Sequence, residues 1–318
     1  MKFAVISDTH FVVPGTYPDG IWWNKTLYSK AEQRYSSIIQ SIRAMNPDFV
    51  VVCGDFVGDC CAESFFLGEK LMDILPCDWR ISVGNHDTSW PGVREEVSRL
   101  YSLPDNVNYH SYDLSEGKYI LHFMFLDLCW NLWRDGSIRP HVEYEAYKDG
   151  DILKFGVDEV QFAWIEKEIE FNKTKSIIIV THTPLYYKDE VMIGTLPKGL
   201  ENYNASYPLN KLNQELEDKS SSHLKELITK YKHSIKVVFS GHTHINEVIY
   251  HDGIPFCTTG ALRECPFEFR MAEVKNGHMY ITTHPLDDPS LYEASYDKWR
   301  NNDWTNGQDN DRNFRIKL

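Results

Sequence analysis

Residues 3–10 read Phe-Ala-Val-Ile-Ser-Asp-Thr-His, and this stretch sets the fold class. Phe3 to Ile6 form a short apolar run that stops at Ser7. A run of this length and kind reads as a strand buried on both faces. Working outward, Ser29–Met45 is apolar at Ala31, Tyr35, Ile38, Ile39, Ile42 and Met45, a helical period. Ser29 and Glu32 have capping-box spacing at its start. A second apolar run, Phe49–Cys53, follows the helix. The same kind of run recurs at Trp79–Val83, Tyr119–Leu126, Ile177–Val180 and Ile235–Phe239. Helical patterns lie between several of them: Ala62–Leu75, Ser222–Tyr231, and a segment opened by Asp158 and Gln161 that carries Phe162, Ile165 and Ile169. Strand and helix in alternation give an α/β domain. Beyond residue 245, closely spaced strands at Glu247–Tyr250, Pro255–Thr258, Phe269–Val274 and Met279–Thr283 suggest an antiparallel meander.

The chain has 318 residues, 42% hydrophobic and 25% charged, which is the composition of a folded globular protein. Its formal charge is −13, with no dense Lys/Arg run, so nucleic acid is a poor partner. No apolar run reaches the length of a membrane span, and the N-terminus is no signal peptide, so a cytoplasmic protein without membrane contact is expected. Seven cysteines without C-x-x-C spacing make a poor disulfide framework and a poor zinc site.

Five short motifs each follow one of the strands. They are Asp8-Thr9-His10, Gly54-Asp55, Gly84-Asn85-His86-Asp87, the lone His182, and Gly241-His242-Thr243-His244. The carboxyl ends of parallel strands share one rim, where ligands bind. Parallel strands here would therefore bring the motifs together. Carboxylates, an amide oxygen and imidazoles without cysteine suit Mn, Fe or Zn. The set is too large for one ion and suits a pair, with one carboxylate as the bridge.

In this order the motifs resemble those of the calcineurin-like metallophosphoesterases, over Asp8 to His244. The resemblance implies two mixed β-sheets packed as a sandwich and flanked by helices. It implies a binuclear centre in which Asp8, His10 and His244 bind one metal, Asn85, His182 and His242 bind the other, and Asp55 bridges them. Mn or Fe is the expected pair, with Zn as the alternative. The nucleophile would be a hydroxide between the metals, and His86, not itself a ligand, would act on the phosphoryl oxygens or the leaving group. The implied activity is hydrolysis of a small phosphate ester, a nucleotide among the candidates.

Departures from relatives narrow this. Where protein Ser/Thr phosphatases carry Asp and Arg after the bridging Asp, this chain has Gly58 and Asp59, and Asp87 stands where they have Glu. Asp59 and Asp87 are then the candidates for steadying His86. Gly58 also excludes the metal-binding Tyr of purple acid phosphatases. The bacterial-type branch remains, which includes class III cyclic-nucleotide phosphodiesterases. A phosphodiesterase is therefore expected first, a phosphomonoesterase or nucleotide-diphosphate hydrolase second, and an inactive metal-binding scaffold as the reading of another class.

Trp22 and Tyr186 are candidates for stacking on substrate, and Arg263 for reaching a phosphate. His122 reads as a satisfied core residue, and His141 matches no motif. Residues 1–284 are expected to form the catalytic domain, with rim loops at about 11–28, 129–155 and 186–221 that hold no regular element. Residues 285–318 would be a tail or cap, suited to a homodimer contact.

Overall fold

The computed structural model describes residues 1–19, 27–90, 92–133, 136–141, 152–186, 219–298 and 305–318. The first half runs β1 (Lys2–Ile6), α1 (Ala31–Met45), β2 (Phe49–Val52), α2 (Ala62–Met72), β3 (Asp78–Ile81), α3 (Val93–Leu100), β4 (His110–Glu116) and β5 (Tyr119–Phe125). An insertion then supplies β6 (Trp130–Trp133), β7 (Ile138–Pro140) and β8 (Ile152–Gly156). The chain continues through α4 (Glu159–Asn172), β9 (Ser176–Val180), α5 (Lys219–Lys230), β10 (Ile235–Ser240), β11 (Glu247–His251) and β12 (Ile254–Thr258). It closes with β13 (Glu268–Lys275), β14 (His278–Pro285), α6 (Pro289–Lys298), α7 (Asp309–Arg312) and β15 (Asn313–Lys317).

Two six-stranded sheets carry the fold, ordered β15-β14-β13-β1-β2-β3 and β11-β12-β10-β9-β5-β4. Both are mixed. In the first, β1, β2 and β3 are mutually parallel and β13 runs antiparallel to β1. In the second, β5, β9, β10 and β12 are parallel while β4 and β11 run antiparallel at the edges.

Strand composition dictates the layering. Residues alternate between the faces of a strand, so an apolar run buries both. Phe3 and Val5 of β1 face the second sheet and pack with Phe123, Phe125, Ile178, Val180, Val237 and Phe239. Ala4 and Ile6 face the other way, into a core with Tyr35, Ile38 and Ile42 of α1 and Phe65 of α2. The outer face of the second sheet packs Ile177 and Ile179 against Ile165 and Ile169 of α4 and Leu224 and Ile228 of α5. Helices therefore cover both outer faces of a two-sheet sandwich, in the layer order helix, sheet, sheet, helix. Each fully buried Val, Ile or Phe of this kind contributes about 1.5–3 kcal/mol.

Several expectations need correction. The strands beyond residue 245 are not one meander: β11 and β12 pair in the second sheet, while β13 and β14 pair in the first. Residues 259–267 cross between the sheets, and that crossing passes the functional rim. Residues 129–155 are not without regular structure, because β7-β6-β8 form a small antiparallel sheet. Strand β4 was not marked by an apolar run, since as an edge strand it is half exposed. Ser29 does not cap α1; its N–H and hydroxyl donate to Asp19 instead. Asp158 does cap α4, accepting the Gln161 N–H at 2.6 Å. Beyond residue 284 the chain returns to the first sheet, where β15 pairs with β14. No helix among the described residues is long and apolar enough to cross a membrane. All seven cysteines are free.

Candidate metal centre

The parallel strands β1, β2 and β3 end at one rim, and β9 and β10 of the second sheet end beside them. Backbone hydrogen bonds prolong the pairing past the strand ends. Asp8 N–H donates to Gly54 O at 3.1 Å and His10 N–H to Asp55 O at 3.0 Å. Beyond those ends the backbone turns sharply. Asp8, His10, Asp55, His242 and His244 all have positive φ, at 52°, 42°, 49°, 70° and 60°. Such conformations cost a non-glycine residue about 1 kcal/mol or more each and gather at functional sites.

Glycine makes the approach of these loops feasible. A Cβ on Gly84 would lie 2.2 Å from the Asp55 backbone nitrogen and from its Oδ1. One on Gly54 would lie 2.6 Å from His182 Nδ1, and one on Gly241 would lie 1.7 Å from Ser7 Oγ. The glycines that precede Asp55, Asn85 and His242 therefore admit a neighbouring motif.

Two groups of ligand atoms result, and they share one residue. Asp8, His10, Asp55 and His244 offer donors within 4.8 Å of one another, and so do Asp55, His182 and His242. Each carboxylate has one oxygen anchored and one turned to the histidines. Asp8 Oδ2 accepts from Ser7 Oγ–H at 2.5 Å and from His242 N–H at 3.0 Å. Asp8 Oδ1 lies 3.0 Å from His244 Nε2 and 3.8 Å from His10 Nε2. Asp55 Oδ1 accepts the His86 N–H at 2.8 Å. Asp55 Oδ2 lies 3.7 Å from His10 Nε2 and 3.3 Å from His182 Nε2, between the two groups.

The second group gathers its atoms around His182. His182 Nδ1 lies 2.8 Å from Cys53 O, and a carbonyl only accepts, so Nδ1 carries the proton. The Nε2 of neutral His182 is then a lone pair. It lies 3.0 Å from Asn85 Oδ1 and 3.2 Å from His242 Nδ1, and His242 Nδ1 is 3.0 Å from the same Asn85 oxygen. Asn85 Oδ1, His182 Nε2 and His242 Nδ1 thus converge on one point. This donor set of oxygens and imidazoles, with no thiolate, fits a divalent metal of the Mn, Fe or Zn kind.

Charges within the site set its protonation. Burial works to raise Asp55, but the charges of His182 and His86, a hydrogen bond from His182 and the charge of His10 hold it well below the ordinary carboxylate range. Burial works to lower His182, yet Asp55 and Asp8 push it up to about 9. Burial likewise opposes His244, which Glu264 and Asp8 push up to about 10. His242 is held down to about 3 by burial and by the charge of His182. His10 is held well below its usual value by burial and by His86.

All seven expected ligands and His86 thus meet at one rim. A sequence model of the calcineurin-like phosphoesterases matches residues 1–246. The chain belongs to this family. Membership places it among hydrolases acting on phosphoric ester bonds. A dimetal phosphatase from Danio rerio is similar in structure, with TM-score 0.57 and 14% identity over 89% of this chain and 95% of that one. A purple acid phosphatase from yellow lupin seeds superposes with TM-score 0.51 and 14% identity, over 99% of this chain and 53% of that one. At these identities the two structures show a shared fold. A search of curated proteins found no match.

Within this calcineurin-like phosphoesterase, other expected residues fall differently. Neither Asp87 nor Asp59 steadies His86. Asp87 accepts the backbone N–H of Val57 at 3.0 Å and of Gly84 at 2.7 Å, pinning the turn, and burial pushes its carboxyl up to about 7. Asp59 accepts from Cys61 N–H at 3.1 Å and from the Tyr17 hydroxyl. Tyr186 is not gathered at the rim: its ring stacks on His251 at 4.6 Å and meets Phe256 edge-on at 4.5 Å, over the outer face of the second sheet. Trp22 lies outside the described residues. Arg263 does come to the site's flank, but it is 0% exposed. Its guanidinium lies 4.2 Å from the Tyr28 ring centroid and 3.8 Å from Glu264, as a fixed buried charge rather than a solvent-facing arm.

Sequence reasoning missed Glu264, whose Oε1 meets His244 Nδ1 at short range. A carboxylate behind a ligand histidine fixes its tautomer and raises its basicity. The available signal was an Arg-Glu pair at 263–264 inside an otherwise apolar stretch between two strands.

Proposed function

We propose that this phosphoesterase is a two-metal phosphodiesterase of small esters, nucleotides included. The observation that carries the reading is Asp55 Oδ2, placed between His10 Nε2 at 3.7 Å and His182 Nε2 at 3.3 Å. Asp8, His10 and His244 would hold one ion and Asn85, His182 and His242 the other, with Asp55 common to both. Mn or Fe suits the mixture of carboxylate, amide and imidazole, and Zn is the alternative. When bound, such a pair supplies an activated water nucleophile and neutralises charge on the phosphoryl oxygens.

The chain's own residues do the rest. Asp55 Oδ1 fixes the His86 backbone, and the His86 ring stands edge-on to His10 at 4.7 Å. His86 is placed to hydrogen-bond the phosphoryl group and to pass a proton to the departing alkoxide. Diester preference is supported by Asp59: an acidic side chain stands where protein phosphatases carry Arg, which disfavours a dianionic monoester. Arg263 contributes positive charge from behind His10. In this reading residues 1–284 form the catalytic domain and 285–318 a cap on the first sheet, supported by the β14–β15 pairing.

The test compares bis(p-nitrophenyl) phosphate with p-nitrophenyl phosphate, using chelator-stripped protein refilled with Mn²⁺ and Asp55→Asn as control. Faster diester turnover that the variant abolishes is expected. Monoester preference would replace phosphodiesterase with phosphomonoesterase. Two bound metals with no turnover across a phosphoester panel would favour a scaffold.

A further inference from the structure

Asp59 and Asp87 do not reach the His86 ring, and among the described residues that ring has no hydrogen-bond partner; its neighbour is His10, edge-on at 4.7 Å. The aim of the imidazole therefore depends on how its backbone is held. One side of that backbone is fixed by the bridging carboxylate, since His86 N–H donates to Asp55 Oδ1 at 2.8 Å. The other side is fixed by a residue outside the five motifs. The Cys60 thiol donates to the His86 carbonyl oxygen. The same sulfur accepts the Ser89 N–H at 3.3 Å. One partly buried side chain thus staples the 85–89 turn at two of its residues.

The staple joins two loops. Cys60 lies five residues after Asp55, on the loop that leaves β2, whereas His86 lies on the loop that leaves β3. Asp87 makes the reciprocal link by accepting the Val57 N–H at 3.0 Å, and it also accepts the Gly84 N–H at 2.7 Å. Asp87 therefore secures the start of the turn, ahead of Asn85, while Cys60 grips the His86 carbonyl itself. Cys60 has φ 54°, a conformation that glycine adopts freely and other residues seldom do. Backbone of this kind gathers at functional positions. A thiol can donate and accept at once, as this position requires, and burial pushes its pKa up to about 12, so the S–H donor persists at neutral pH.

We propose that Cys60 is a positioning residue, which ties the His86 carbonyl to the Asp55 loop and so holds the His86 imidazole where it can protonate the departing oxygen. This rests on the phosphodiesterase reading above. As the P–O bond breaks, its electron pair stays on the leaving oxygen; that oxygen takes a proton from His86, which regains one from water. A donor held at the right point speeds this step most when the leaving oxygen is strongly basic.

The experiment compares kcat of the Mn²⁺-loaded enzyme for methyl phenyl phosphate and methyl p-nitrophenyl phosphate. Phenolate is the stronger base and needs the proton as it leaves; p-nitrophenolate scarcely does. Cys60→Ala is expected to lower kcat for the phenyl ester about tenfold, part of the roughly 10²–10⁴-fold that a positioned acid supplies, and for the nitrophenyl ester about twofold or less. KM and the metal bound per chain should stay as in wild type. Cys60→Ser, which keeps a donor and an acceptor, should restore most of the loss. Cys60→Gly suits the local backbone and should repeat the alanine pattern, which keeps the test open if the alanine variant does not fold. Equal losses on both esters, a loss of bound metal, or no loss on either ester would overturn the proposal. His86→Ala is the reference: if it slows both esters equally, His86 does not protonate the leaving group and the proposal falls with that role. Hydrolysis of neither ester by a two-metal wild type would overturn the phosphodiesterase reading itself.

Discussion

The two halves of the metal centre are built differently. In the first, His244 leans on a carboxylate, Glu264, and two fully buried guanidinium groups, Arg34 and Arg263, stand behind it. In the second, His182 leans on a neutral carbonyl, Cys53 O, and its partner Asn85 is an uncharged amide. A carboxylate makes its histidine a stronger base than a carbonyl does. In the proposed centre Asp8 would offer its free oxygen to the first half, whereas the second half would depend on the shared Asp55 for its only carboxylate ligand. In the proposed centre the first half is then expected to be the tighter holder and the second the more exchangeable one.

The largest expected effect removes what the halves share. Asp55→Asn should lower turnover by about 10³-fold or more, because positioning and charge are lost together. Bound metal should fall from two ions per chain towards one, retained by Asp8, His10 and His244. Elemental analysis after gel filtration checks this, and equal loss from both halves would break the comparison.

Gly84→Ala comes next. The added methyl would sit 2.2 Å from Asp55 atoms. A displacement of that kind at a catalytic group costs on the order of 10²-fold in rate. Steady-state kinetics on the preferred ester would show it, accompanied by weaker binding of the second ion.

Glu264→Gln sharpens the contrast directly. It should weaken the first half about 10–100-fold in metal affinity, the range for loss of a partner behind a ligand histidine. The second half should change little. Competition with a fluorescent chelator separates the two sites.

The smallest expected effect concerns protons. In the metal-free protein His182 and His244 have pKa values raised to about 9 and about 10. A raised histidine pKa stabilises the fold fully below the unfolded value of about 6.5 and ceases to do so as pH rises through the folded value. Chelated protein should therefore lose thermal stability between about pH 6.5 and 10, and metal-loaded protein should lose less. Melting curves across that window provide the check. A flat Tm for the chelated protein would mean that these imidazoles are neutral without metal.

The contrast between halves also shows what sequence could convey. Asp8, Asp55 and His182 were legible because each follows a short apolar run, and parallel pairing at strand ends gathers such positions. The two-sheet sandwich was legible only through resemblance, since strand patterns do not say which sheet a strand joins; β12 and β13 follow one another in sequence and lie in different sheets. Glu264 was not legible. It reaches the rim through a chain crossing, and no fixed spacing links it to a motif. Tyr186 misled because an aromatic residue near a motif reads the same whether it faces substrate or packs on the outer face of a sheet.

The central claim is that Asp55 is shared by two ions. Crystals grown with Mn²⁺ and measured near the manganese absorption edge would test it most directly. The account predicts two anomalous peaks about 3.5–4 Å apart with an Asp55 oxygen between them, the spacing of two-metal hydrolases. A single peak, or two peaks of which only one touches Asp55, would contradict it.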